Sequence, residues 1–192
     1  MARLLLGAAV LVVTILGAIT TALFSLEFPG PLPGNLTVEN WKVFDTLATK
    51  QASARRRAIW SRTAFGALPP ERALYFVRTV ADNRRDLEGG CRYRITGTPP
   101  KAAWWSLTVY DSALGAIKSG GPAAINQGNV QLDSDGGYTA YISATPEPGN
   151  WLSNRTAGTV LIVYRIYEPS RTLLEDLEAA PLPSVAQSGG CA

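Results

Sequence analysis

PPKAAWWSLTVYD, Pro99–Asp111, sets two prolines ahead of a run in which bulky apolar and small polar side chains take turns. Successive side chains on a β-strand point to opposite faces. The run therefore predicts Trp105, Leu107 and Val109 on one face, assigned to the core, and Trp104, Ser106, Thr108 and Tyr110 on the other. Adjacent tryptophans invite a reading as one ligand platform, but neighbours on a strand cannot share a face. Trp105 is expected to be structural, and of the pair only Trp104 is a candidate contact.

The same kind of run recurs on both sides of this stretch: ALYFVRTVA (73–81), CRYRITG (91–97), NVQLD (129–133), YTAYISA (138–144) and GTVLIVYRIYEP (158–169). Turn-forming stretches, DNRRDLEGG, TPPKA, SDGG and TPEPGNWLSN, divide them. Strands at this spacing, with no helices alternating between them, predict an all-β, jelly-roll-like antiparallel β-sandwich. Alternation places Cys91, Tyr93 and Ile95 inward and Arg92, Arg94 and Thr96 outward. In the last run Val160, Ile162, Tyr164 and Ile166 share one face, and Leu161, Val163, Arg165 and Tyr167 the other. Arg165 is the odd member of an apolar face, expected to reach the rim or to pair with a carboxylate. Trp41–Leu47 reads as an edge strand, Thr49–Leu68 as a helix stopped by Pro69–Pro70, and Ser170–Ala180 as one short helix.

Leu4 to Leu26 carries no charge for 23 residues, which at about 1.5 Å per residue crosses a hydrocarbon core of about 30 Å. It reads as one amino-terminal transmembrane helix, too long an apolar run for the core of a cleaved signal peptide. Arg3 is the positive charge on one flank and Lys42 the next on the other, a bias that places the amino terminus in the cytoplasm and the rest outside it. The prolines and glycines of FPGPLPG form a stiff tether. The expected division is an anchor over 1–28, a linker over 29–36 and the sandwich over 37–192.

There is no histidine, and the net charge is only +3. The first fact removes the commonest neutral-pH general base and every histidine-containing triad or metal set. The second gives no footprint for nucleic acid. Asp133 and Asp135 precede Gly136–Gly137 too closely for a calcium loop, and Ala144 stands where its glutamate belongs, so a hairpin turn is expected there. Asp82, Asp86 and Glu88 beside Arg84 and Arg85 read as acid–base carboxylates or as a solvated loop. Lys50, Arg55, Arg56, Arg57 and Arg62 scatter around a helix and read as solvated surface rather than a lipid contact. Asn35 and Asn154 open glycosylation-like triplets that occur readily by chance. Cys91 and Cys191 are an even pair that an oxidising compartment would permit to bond, or two free thiols. No cofactor is expected.

What remains is aromatic and cationic. Arg92, Arg94, Trp104, Tyr110, Trp151, Arg165 and Tyr167 could line a concave face and bind a sugar, lipid or anion, or could fill the core and pair across strands. Whether Trp151, Arg165 and Tyr110 border one pocket or surround a filled interior separates these readings.

Taken in order, ALYFVRTVADNRRDLEGGCRYRITG, PPKAAWWSLTVYD, QLDSDGGYTAYIS, PEPGNWLSN and GTVLIVYRIYEP resemble the bacterial family called domain of unknown function 1214, over about Leu74 to Pro169. Trp104–Thr108 with Tyr110, the Pro148–Leu152 loop containing Asn150 and Trp151, and the strand end Arg165-x-Tyr167-x-Pro169 carry most of the likeness. The resemblance implies a jelly-roll-like sandwich and assigns no catalytic residue. It also implies the short, membrane-anchored form without the partner domain of unknown function 1254, and with that form a disulfide between Cys91 and Cys191.

The leading expectation is a single-pass protein of the bacterial inner membrane, its domain in the periplasm, acting as a binding or envelope-interaction module. Its candidate contacts are Arg94, Trp104, Tyr110, Asn150, Trp151, Arg165 and Tyr167, and its partners are the membrane and a small molecule or envelope component. The alternatives are a hydrolase of a sugar or phosphate ester using Arg94, Arg165, Asp86 or Asp111, and a structural subunit of an envelope complex.

Overall fold

The computed structural model describes residues 2–27, 36–44 and 68–191 except 113–114, 118–120, 123 and 157, together with 49–50, 52–53, 57 and 66. The expected tether at 28–34, Asn35 and most of the expected helix over 49–68, with Arg55, Arg56 and Arg62, lie outside the described residues.

Helix α1 spans Ala2–Glu27, and its stretch Leu5–Phe24 is long and apolar enough to cross a membrane, with its side chains exposed. The hydroxyls of Thr14, Thr20 and Thr21 donate to the carbonyls of Val10, Leu16 and Gly17 at 2.8–2.9 Å. Each polar side chain in the span is thus satisfied by the helix's own backbone, as a hydrocarbon surrounding requires.

The remaining elements form a β-sandwich of two sheets. The strands are β1 (Leu36–Val38), β2 (Trp41–Phe44), β3 (Ala73–Arg78), β4 (Cys91–Gly97), β5 (Ala102–Asp111), β6 (Ile125–Asn126), β7 (Tyr138–Ser143), β8 (Asn150–Ser153), β9 (Val160–Pro169) and β10 (Ser184–Cys191). The large sheet runs β1-β2-β3-β9-β5-β6 and the small one β10-β4-β7-β8. Every pairing is antiparallel except β7 with β8. The jelly-roll-like sandwich expected from alternation is present, and a short helix α2 (Arg171–Glu175) followed by a 3-10 turn (Leu177–Ala179) occupies the segment expected to be helical.

The core lies between the sheets. Trp41, Leu74, Phe76, Trp105, Leu107, Ile162, Tyr164 and Ile166 of the large sheet meet Tyr93, Ile95, Tyr138, Ile142, Leu152 and Val185 of the small one. Trp105 stacks on Tyr138 with ring centroids 5.1 Å apart and lies 5.8 Å from Tyr164. A cavity of about 130 Å³ lies between β5 and β8, lined by Val109, Tyr110, Leu152 and Ser153 among others. The far face of the large sheet carries a second buried cluster of Phe44, Ala73, Tyr75, Val77, Tyr110, Leu161 and Val163. Tyr75 ties the chain before Pro69 to that face: its hydroxyl donates to the Gly66 carbonyl at 2.9 Å and accepts from the Leu68 amide at 3.1 Å. Strand β9, between β3 and β5, is therefore buried on both faces, which is why VLIVYRI reads as an almost unbroken apolar run.

Several elements depart from expectation. Trp41–Phe44 is an inner strand, because Leu36–Val38 turns back on it through Glu39 and Asn40, both at positive φ, and takes the edge. NVQLD is not a strand. Asn126 and Asn129 accept the amides of Gly128 and Asn126 at 2.8 and 2.7 Å, a turn chemistry that competes with extended pairing. NWLS, expected within a turn, is β8, and SVAQSGGC, assigned no structure, is β10. The turn at Asp133–Gly137 is as expected: the Gly136 amide reaches the Asp133 carbonyl at 3.0 Å and Gly136 takes φ +82°.

Strand β10 is bound to the body at both ends. At one end Trp41 Nε1 donates to the Pro183 carbonyl at 3.0 Å, and the buried Arg78 donates to the carbonyls of Val80 and Pro183 and to Asp82. Asp82 also accepts the Val185 amide, so this carboxylate is structural rather than a free acid. At the other end Cys191 stands directly opposite Cys91 in the pairing with β4, and the two sulfurs are at bonding distance.

Candidate functional site

Six of the seven candidate contacts divide between the two outer faces of the sandwich, and the seventh is Asn150. Trp104, Tyr110, Arg165 and Tyr167 come together on the far face of the large sheet. Arg165 sits opposite Tyr75 of β3 and Ser106 of β5. Its Nη2 donates to Tyr110 Oη at 2.9 Å and its Nη1 to Thr108 Oγ1 at 3.4 Å, both hydroxyls being supplied by β5. Tyr167 pairs with Trp104, their rings edge to face at 5.3 Å. Arg165 and Tyr110 are 6% and 8% exposed, whereas Trp104 is 39% exposed, so this face is closed at Arg165 and Tyr110 and open at Trp104.

The outer face of the small sheet has the opposite character. Alternation turns Arg92, Arg94 and Thr96 of β4, Thr139 and Tyr141 of β7, Trp151 of β8 and Ser184 and Ala186 of β10 outward. Arg94, Thr96 and Ser184 are exposed, and Tyr141 and Trp151 are half-buried. Register sets Ala186, Arg94, Tyr141 and Trp151 in one row across all four strands. Two of the sequence candidates, Arg94 and Trp151, thus lie in a single row with Tyr141 between them.

This row is held in place. The Arg92 guanidinium lies 4.4 Å over the Tyr141 ring, pairs with Glu147 at 2.6 Å and donates to Ser188 Oγ at 3.0 Å. The hydrogen bond from Arg92 pulls the Glu147 carboxyl below the usual glutamate range, and Glu147 in turn raises the arginine. Trp151 Nε1 donates to the hydroxyl and carbonyl of Ser143 at 3.2 and 3.3 Å, which lays the indole across the end of β7. The far edge of the indole packs on Gly121, where a Cβ would come within 2.7 Å of the ring. Asn150 faces inward. Its amide oxygen accepts the Gln131 amide at 2.7 Å, and its Nδ2 donates to the carbonyls of Gln131 and Thr139 at 2.7 and 2.9 Å. Asn150 is therefore a brace that fixes the strand carrying Trp151.

A depression of about 240 Å³ at one end of this face is lined by Arg92, Ser143, Thr145 and Cys191, among others. Beyond the disulfide lies a cleft of about 470 Å³ bordered by Arg84, Arg85, Asp86, Glu88 and Tyr93. Glu88, Cys91 and Cys191 bring their donor atoms within 4.8 Å of one another, but with the two sulfurs joined no thiolate pair is left for a metal. Asp111 accepts the Gly115 amide at 2.7 Å and closes a turn. Buried Asn154 donates to the Cys91 and Glu88 carbonyls at 2.7 and 3.3 Å and holds the disulfide loop. Arg94 and Arg165 project from opposite outer faces, and the cavity beside Tyr110 is bordered on its other side by Leu152 and Ser153 of β8.

Sequence reasoning passed over Tyr141. The signal was present in YTAYIS, whose period of two groups Tyr138 with Ala140 and Ile142 in the core and leaves Tyr141 beside Thr139 on the open side. What it lacked was the pairing that sets Tyr141 between Arg94 and Trp151.

Comparison with known proteins agrees with this architecture. The chain is similar to the VPA0106 protein from Vibrio parahaemolyticus, at 23% identity over 71% of this chain and 36% of that one, with a TM-score of 0.56, a likeness of fold. It also aligns with an uncharacterised protein from Burkholderia cenocepacia at 19% identity, over 64% of this chain and 31% of that one, with a TM-score of 0.42. The chain spans about a third of the length of these solved structures. No curated protein matches it. The profile of the family described as protein of unknown function DUF1214 matches residues 72–171, just over half of the chain and the whole of β3 to β9. On that match the chain belongs to the DUF1214 family.

Proposed function

We propose that this protein is a membrane-anchored binding module of the bacterial envelope. Helix α1 crosses the inner membrane with its amino terminus in the cytoplasm, and the sandwich stands in the periplasm and meets a ligand or envelope partner through the open face of its small sheet. Arg3 ahead of the apolar span supports that orientation, and the cysteine pair supports an oxidising compartment.

The observation that carries the reading is the row Arg94–Tyr141–Trp151. A sheet face turned to water needs no tryptophan or tyrosine, yet this one holds both, each fixed by its own contacts, beside an exposed guanidinium. Tryptophan, tyrosine and arginine are the side chains that supply most binding energy per residue at contact surfaces. Polar groups elsewhere serve the fold, as Asp82, Asp111, Asn150 and Asn154 do.

Two measurements test this. Protease added to spheroplasts is expected to degrade the sandwich while the inner membrane is intact; full protection would overturn the orientation. Full-length protein in detergent is expected to be retained by isolated cell-envelope material, and Arg94→Glu and Trp151→Ala to reduce retention. Equal retention of all three proteins would remove the binding role from this face.

A further inference from the structure

Resting on that reading, we propose that the open face of the small sheet binds an anionic saccharide. A sugar ring stacks on Trp151 and borders Tyr141, while the sugar's carboxylate or phosphate is held by Arg94 and Arg155.

The shape of the face favours a sugar. Strands in a sheet are about 4.8 Å apart, so the row places the Trp151 and Tyr141 rings on neighbouring strands and a guanidinium one strand further, with Arg92 over the Tyr141 ring. The half-buried indole is fixed by its Nε1 on Ser143 and its far edge on Gly121, with part of the ring system left accessible. The C–H face of a pyranose matches such a surface. The next residues along β4 and β7, Thr96 and Thr139, add hydroxyls of the kind that exchange hydrogen bonds with sugar hydroxyls. A lipid would call for a continuous apolar patch, and this face is interrupted by arginine, threonine and serine at every step.

Charge selects the acid. Among the described residues, Arg92, Arg94 and Arg155 lie near the aromatic pair, with the Glu147 carboxylate at one end and Asp133 at the other. Arg92 is already matched by Glu147. Arg94 is exposed and has no carboxylate within ion-pair distance among the described residues. The Arg155 Nε donates to the Ala144 carbonyl at 3.0 Å, which places its guanidinium next to Ser143, the residue under the indole. Asp133 lies at the opposite end, beyond Thr139, to which it is hydrogen-bonded. A ligand that stacks on Trp151 therefore meets positive charge on two sides. Guanidinium groups bind carboxylate and phosphate through paired, charge-assisted hydrogen bonds.

The test uses full-length protein in detergent and affinity electrophoresis against polygalacturonate, with neutral dextran and polyphosphate, an anion without sugar rings, as comparisons. Polygalacturonate is expected to retard the protein and dextran to do so far less. Trp151→Ala and Arg94→Ala should each weaken the interaction about tenfold, the scale of one lost charge-assisted or stacking contact. Glu178→Gln, on the 3-10 turn, should leave it unchanged. Arg94→Ala removes an exposed side chain and keeps the test valid if Trp151→Ala destabilises the sheet. Equal retardation by dextran would overturn the anionic preference, and equal retardation by polyphosphate would overturn the saccharide. Loss of envelope retention in the Arg94 variant with no polygalacturonate binding would sink the ligand class alone. Absence of both would sink the binding role with it.

Discussion

Arg165 and Tyr110 meet across neighbouring strands, the guanidinium Nη2 donating to the phenol oxygen at 2.9 Å on a face almost closed to water. A hydrogen bond to a charged group contributes about 1.5–3 kcal/mol. Tyr110→Phe keeps the ring and deletes the acceptor, so it should lower the unfolding free energy by about that amount in urea titration, as set by the change in midpoint at constant slope. A change below about 0.5 kcal/mol would mean that Tyr110 does not hold the arginine.

Trp104 and Trp105 separate cleanly by the same measurement. Trp105 is 1% exposed, stacked on Tyr138 and packed against Tyr164. Truncating such a residue to alanine costs about 3–5 kcal/mol. Trp104→Ala, at the open end of its face, should cost no more than about 1 kcal/mol. Similar losses for both would contradict the assignment of the two residues to opposite faces.

The cysteine pair closes a loop with a sequence separation of 100. In the chain-entropy account a loop of that size constrains the unfolded state by about 4–5 kcal/mol. The double variant Cys91→Ser, Cys191→Ser should melt well below the parent protein in calorimetry and should no longer respond to reductant. A parent whose melting temperature is the same with and without reductant would show that the bond adds nothing to stability.

Burial raises the phenols of Tyr138 and Tyr164 far above the ordinary tyrosine range, and raises Tyr75 and Tyr93 as well. A group whose folded pKa is raised stabilises the fold fully below its unfolded value, near pH 10, and that contribution is lost as pH rises toward the folded value. Alkaline titration followed by tyrosine absorbance should show these four phenols ionising only together with loss of near-ultraviolet circular dichroism. Ionisation of these four in a protein that stays folded would contradict their burial.

The inside-to-outside assignment was legible because it depends only on period two, which acts within a strand. CRYRITG, WWSLTVYD and VLIVYRIY therefore gave up their faces directly. Strand β8 was not legible, since four residues after Pro148–Gly149 are too few to display alternation and its parallel pairing with β7 leaves no local mark. Strand β10 carries one buried valine among serine, glycine, alanine and glutamine, ends on Cys191, and exists because β4, the Asp82 carboxylate and Cys91 hold it. The candidate site was half legible for the same reason. Arg94 and Trp151 could each be named from the sequence, but their common row is a matter of register between distant strands, as is the separation of Trp151 from Arg165.

The double burial of β9 also bears on how the chain reaches its native state. Until β3 and β5 have both paired with it, VLIVYRIY is an eight-residue stretch rich in β-branched and aromatic side chains, a composition that favours self-association between chains. Its single charge is Arg165. In an unfolded crowd that guanidinium interrupts an otherwise continuous adhesive strip, as charged residues do elsewhere beside segments prone to aggregate. The residue that looks out of place in the finished sheet thus protects the sheet while it is being assembled, so an apolar replacement that suited the folded face would still lower the yield of soluble protein on refolding.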